Sequence, residues 1–101
     1  MLDELFVIIE DRKAHPRAGS YTNQLLAGGE DLILKKIGEE AMEVILAAKS
    51  QGDRRVIEEV SDLFYHTLVM LASRGLRLAD IEEELERRHK NSDRKSEASF
   101  Q

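Results

Sequence analysis

The stretch DLILKKIGEEAMEVILAAKSQGDRRVIEEVSDLFYHTLVMLAS, residues 31–73, decides the fold. In its first half Ile33, Ile37, Ala41, Val44 and Ala48 recur at spacings of three and four, which predicts a helix over 32–50 with one apolar stripe. Gly52-Asp53 interrupts the pattern with a turn. Val56, Val60, Leu63, Thr67 and Leu71 then set the inner face of a second helix over 54–73, which Gly75 stops. A turn this short leaves the two long helices antiparallel.

The same periodicity extends outward on both sides. Leu2, Leu5, Phe6 and Ile9 predict a helix over 2–12, broken in 13–20 by Pro16 and Gly19. Ser20 is placed to cap a short helix over 21–26, which Gly28-Gly29 ends. Leu78, Ile81 and Leu85 point inward on a last helix over 78–89, whose outer face is strongly charged. No strand-like alternation competes, so the fold class is an all-α antiparallel bundle. One domain spans 1–90, and the polar, aperiodic residues 91–101 read as a flexible tail.

Composition narrows the function. The 101 residues carry 20 Asp and Glu against 15 Lys and Arg, a net charge of -5. An acidic chain lacks the basic footprint that makes nucleic acid a general partner. Without cysteine there are no disulfides, no thiol catalysis and no Cys-ligated metal, so any metal is held by oxygen or imidazole. Asp3 and Glu4 precede the short apolar run 5–9, unlike a signal peptide, and no apolar stretch nears the ~20 residues of a membrane span. The expectation is a cytoplasmic protein with neither membrane nor nucleic acid as partner. A chain this short buries a modest core, and apolar Met42 and Leu46 lie off the main stripe, so a homodimer contact is expected there.

Two acidic clusters interrupt the long helices, Glu39-Glu40-x-x-Glu43 and Glu59-x-x-Asp62. At about 100° per residue, Glu40 and Glu43 share one shoulder of the first stripe, and Glu59, Asp62 and His66 share one shoulder of the second. Antiparallel pairing brings the shoulders together. Four carboxylates at the edge of an apolar core either raise their pKa values or recruit cations, and an all-oxygen donor set suits Mg²⁺, with Mn²⁺ as the alternative. A single such pair would be an ordinary surface salt-bridge motif; two on consecutive helices point to a divalent-metal site. Lys36 lies about 40° from Glu40 and about 20° from Glu43 on the wheel, so it either pairs with Glu40 or reaches an anion beside the acids.

Glu-Glu-x-x-Glu, fifteen residues, then Glu-x-x-Asp resembles the metal signature of the all-α, MazG-like nucleoside triphosphate pyrophosphohydrolases. Ser20-Tyr21-Thr22, Leu25-Leu26-Ala27-Gly28-Gly29, Ile33-Leu34-Lys35-Lys36-Ile37-Gly38-Glu39-Glu40-Ala41, Asp62-Leu63-Phe64-Tyr65-His66 and Leu85-Glu86-Arg87-Arg88-His89 resemble one branch, the phosphoribosyl-ATP pyrophosphatases of histidine biosynthesis. The resemblance covers about residues 2–90. It implies Mg²⁺-dependent hydrolysis of phosphoribosyl-ATP to phosphoribosyl-AMP and pyrophosphate, with Glu40, Glu43, Glu59 and Asp62 as metal ligands. Glu39 is then an outer ligand or the catalytic base that orients water. By resemblance the segment of Ser20, Tyr21 and Thr22 lies near substrate, the alternative being an N-cap and first turn only. From their positions Lys36, beside the acids, and Arg12, Lys13 and Arg17, in or near the break, are either cations for its phosphates or ordinary surface charges. His66, one turn after Asp62, is either a partner orienting that carboxylate or a packed, hydrogen-bonded histidine. Rival readings are a pyrophosphatase for noncanonical triphosphates and a non-catalytic helical assembly module.

Overall fold

The computed structural model describes residues 1–95. They form five helices, α1 (Leu2–Ala14), α2 (Tyr21–Gly28), α3 (Glu30–Ser50), α4 (Asp53–Ser73) and α5 (Leu78–Lys95), and no strand occurs among the described residues. The all-α class read from the periodicity holds. Within the described residues no helix is long and apolar enough to cross a membrane.

The long pair α3 and α4 is the spine. Gly52, at φ 87°, occupies a backbone region that side-chain-bearing residues rarely adopt, and this lets the chain reverse between Ser50 and Asp53. At the far end of the pair Arg74 bridges to Glu30 at 2.8 Å, where α4 stops and α3 starts. α1 and α2 pack on that same end. There Phe6 and Ile9 of α1, Leu25 of α2, Ile33 of α3 and Leu68, Val69, Leu71 and Ala72 of α4 make one buried apolar cluster. Ser20 caps α2 by accepting a hydrogen bond from the Asn23 amide, as its position in the sequence predicts.

The phase of the stripes differs from expectation. On α3 the buried residues are Ile33, Glu40 and Ala47, seven apart, with Ile37, Ala41 and Val44 half-buried and Ala48 exposed. On α4 Glu59 and His66 are buried while Val56, Val60, Leu63 and Thr67 are half-buried. Glu40, Glu59 and His66 therefore stand on the inner faces, not on their shoulders, while Glu43 and Asp62 are exposed. The stripe drawn through Ala41 and Ala48 misses the buried face because it follows apolar residues alone, whereas the buried row Ile33, Glu40 and Ala47 has an acid at its centre.

α5 departs in two ways. It runs on to Lys95, so the polar segment read as a tail is helical through its first five residues; the remainder of that segment, 96–101, lies outside the described residues. Leu78 packs against the core, but Ile81 and Leu85, expected inward, are 42% and 46% exposed. With Leu2, Phe64 and Leu71 they line a groove of about 610 Å³ between α1, α4 and α5.

Candidate metal centre

Nearer the turn of the hairpin α3 and α4 face each other across a group of carboxylates. Glu40 and Glu43, one turn apart on α3, meet Glu59 of α4, and one oxygen from each lies within 4.8 Å of the others. Glu40 and Glu59 are 8% and 3% exposed, whereas Glu43 is open to solvent and forms the mouth. Glu40 Oε2 and Glu59 Oε2 are buried without any hydrogen-bond partner. Such atoms are costly unless something binds them.

The electrostatics agree. The adjoining Glu43 carboxylate, then burial, push the Glu59 carboxyl above the ordinary range, against the opposing pull of Arg55. Arg55 Nη2 donates to Glu59 Oε1 at 2.5 Å, leaving the other oxygen of that carboxylate turned inward. An all-oxygen cluster with two orphaned oxygens fits a hard divalent cation, Mg²⁺ or Mn²⁺, and does not fit a soft one.

The other residues singled out in the sequence fall around this centre in different ways. Asp62 follows Glu59 by one turn but is exposed and stands apart from the three-carboxylate group. Glu39 is exposed and pairs with Lys36 at 3.6 Å, so Lys36 takes Glu39 as its salt-bridge partner, not Glu40. Tyr21 chiefly, with Glu39 and Glu40, holds the Lys36 ammonium above its usual pKa, while partial burial works against them. Tyr21, half exposed, joins α2 to α4 by a 3.0 Å bond from its hydroxyl to His66 Nε2. His66 Nδ1 lies 2.7 Å from the backbone carbonyl oxygen of Asp62, so the histidine is anchored on the main chain and does not orient the Asp62 carboxylate. Thr22 is buried with its hydroxyl bonded to that of Tyr65, and Ser20 spends its hydroxyl on the α2 cap.

Two cations go elsewhere. Lys13 Nζ donates to the Ala72 carbonyl at 2.8 Å, at the C-terminal end of α4 and about 20 Å along that helix from Glu59. Arg12 pairs with neighbouring Asp11 at 3.1 Å. Sequence reasoning passed over three residues. Asn23 stitches the α1–α2 break, accepting from the Arg17 amide at 2.8 Å and donating to the Arg12 carbonyl at 2.7 Å. Tyr65 stacks near Tyr21, with ring centroids 6.1 Å apart, and meets His66 edge-on. Arg55 sits four residues before Glu59, a helical ion-pair spacing that was legible in the sequence.

The sequence model of the family described as Phosphoribosyl-ATP pyrophosphohydrolase matches residues 2–89. A Phosphoribosyl-ATP pyrophosphatase of Clostridium botulinum (strain Hall) is 51% identical over 88 residues, covering 87% of this chain and 80% of its own length. One from Methanocella arvoryzae is 46% identical over 92 residues, covering 89% of this chain and 97% of the relative. The Histidine biosynthesis bifunctional protein HisIE of Thermoanaerobacter pseudethanolicus is 51% identical over 84 residues, which cover 83% of this chain but 39% of that longer protein.

Proposed function

The chain belongs to the phosphoribosyl-ATP pyrophosphohydrolase family, and on that premise we propose that it cleaves the α–β phosphoanhydride of phosphoribosyl-ATP, giving phosphoribosyl-AMP and pyrophosphate with Mg²⁺ or Mn²⁺. It is a hydrolase of histidine biosynthesis. The observation that carries the metal-dependent reading is the convergence of Glu40, Glu43 and Glu59 with two buried, unpartnered oxygens. These three, with Asp62 one turn further along α4, would hold the cation. When bound, it supplies positive charge for the phosphate oxygens and acidifies water near neutral pH.

The chain's own residues supply the rest. Lys36, set beside the acids with its amine partly open, takes a phosphate oxygen and in doing so releases Glu39 from their ion pair. The freed, exposed Glu39 carboxylate orients the attacking water and receives its proton as the new P–O bond forms and the anhydride P–O bond breaks. Tyr21 and the start of α2 border the same space, with Arg12 and Lys13 in the last turn of α1 as candidate contacts for a more distant phosphate. Because Lys13 is committed to the end of α4, its contact requires leaving Ala72. The exposed Met42, Ile45 and Leu46 of α3 are covered in a homodimer, the state in which the enzyme acts.

Pyrophosphate release from phosphoribosyl-ATP, run beside a panel of ordinary and deoxy triphosphates with and without chelator, tests the assignment. Release from phosphoribosyl-ATP alone, abolished by chelator, is expected. Hydrolysis of the panel but not of phosphoribosyl-ATP would overturn the substrate, and undiminished release under chelator would overturn the metal.

A further inference from the structure

The bond between Tyr21 and His66 has a polarity that the surrounding main chain dictates. A carbonyl oxygen can only accept, so the 2.7 Å contact with Asp62 O places a proton on His66 Nδ1. In the neutral ring Nε2 then carries a lone pair, and the Tyr21 hydroxyl, 3.0 Å away, must donate to it. His66 is 4% exposed and sits edge-on to both Tyr21 and Tyr65, so it has little freedom to turn. Tyr21, in contrast, is 45% exposed. Its proton is directed inward to His66, which leaves its oxygen free to accept, and Tyr21 is the largest electrostatic influence on the Lys36 ammonium.

We infer that His66 is a positioning residue that acts through Tyr21: anchored on the α4 main chain at Asp62, it fixes the direction and proton of the tyrosine hydroxyl at the edge of the acidic centre. A consequence is that Tyr21 meets its surroundings as an acceptor, for an ammonium or a substrate hydroxyl, and does not donate to a phosphate oxygen. The proposal rests on the reading above that Tyr21 borders substrate, and adds to it a residue that substrate never touches.

Two isosteres separate the alternatives. Gln at 66 presents a polar group near the Nε2 position, facing Tyr21, whereas Asn presents one near Nδ1, facing the Asp62 carbonyl. Tyr21→Phe is expected to raise KM about tenfold, the loss of one well-oriented hydrogen bond, with kcat within about twofold. His66→Asn should raise KM by the same factor, His66→Gln should restore it, and Tyr21→Phe with His66→Asn should be no worse than either alone. Stabilisation by Mn²⁺ without substrate should persist in all of them. Rescue by Asn and not Gln would overturn the proposal, as would additive effects in the double variant. An unchanged KM in Tyr21→Phe would remove the premise that Tyr21 borders substrate and the proposal with it, whereas an unchanged KM in His66→Asn beside a raised one in Tyr21→Phe would overturn the role of His66 alone. Should the Asn variant fail to fold, ¹⁵N NMR of the native chain decides: an unprotonated Nε2 on His66 supports the proposal, and a protonated Nε2 with bare Nδ1 refutes it.

Discussion

The two ends of the α3–α4 hairpin are built from the same helix pair and bury opposite chemistry. At one end Ile33, Leu68 and Val69 share an apolar cluster with residues of α1 and α2; at the other Glu40 and Glu59 are buried, and two of their oxygens lack partners. The first end is complete as it stands and contributes stability. The second leaves two carboxylate oxygens unpartnered, and holding like charges together there costs stability. What differs is not the helix geometry but what faces across it, which is how a scaffold this small separates a folding half from a working half.

The sharpest break comes from the acidic end. Glu43→Gln or Asp62→Asn should reduce turnover by more than about a hundredfold, beyond the cost of losing an outer partner of a metal ligand, with helical content unchanged by circular dichroism. Full activity in either variant would refute that residue's place among the ligands. Next in size is the apolar end. Ile33→Ala, at a residue 1% exposed, should cost about 3 kcal/mol of stability in denaturant unfolding while leaving saturable Mn²⁺ binding in place.

The ends should also answer pH differently. Because Glu43 and burial raise the Glu59 carboxyl, the metal-free folded chain holds that proton more tightly than the unfolded chain does. Its stabilising contribution is therefore present at acid pH, below the unfolded value, and is lost as pH rises through the raised one. Thermal unfolding of metal-free protein from pH 4 upward should show this loss, and saturating Mg²⁺ should remove it. Glu59→Gln should raise the Tm of metal-free protein at neutral pH and abolish the response to Mg²⁺. The smallest effect concerns the outer face of α3. Leu46→Glu should shift sedimentation from dimer toward monomer, with the metal-free fold retained; a wild-type chain that sediments as a monomer would contradict the homodimer.

The hairpin, the Ser20 cap and the glycine turn were legible because each rests on a local rule: spacing, a side-chain acceptor at a helix start, a residue free to take positive φ. The acids Glu40, Glu43 and Glu59 were legible as a group for the same reason, since helical spacing fixes who shares a side. Their depth was not. A wheel drawn on apolar residues alone gives weight to Ala48, which is exposed, and none to Glu40, so it turns the inner face of α3 away from the acid at its centre. Nor could one helix's spacing reveal that His66 reaches back to the Asp62 main chain and across to Tyr21, or that Lys13 closes the end of α4. The Tyr21 and Lys13 contacts join segments far apart in the chain and are set by how α1 and α2 pack, whereas the His66 contact with Asp62 lies within one turn of α4 but depends on the ring's rotamer.

That the acidic end is a divalent-cation centre is tested most directly by unfolding the wild-type chain and Glu40→Gln across a Mn²⁺ titration. Binding to the folded state should stabilise the wild type saturably, by about 2.7 kcal/mol at a hundred times the dissociation constant, and Glu40→Gln should lose that gain. An equal gain in both chains, or none in either, would contradict the assignment.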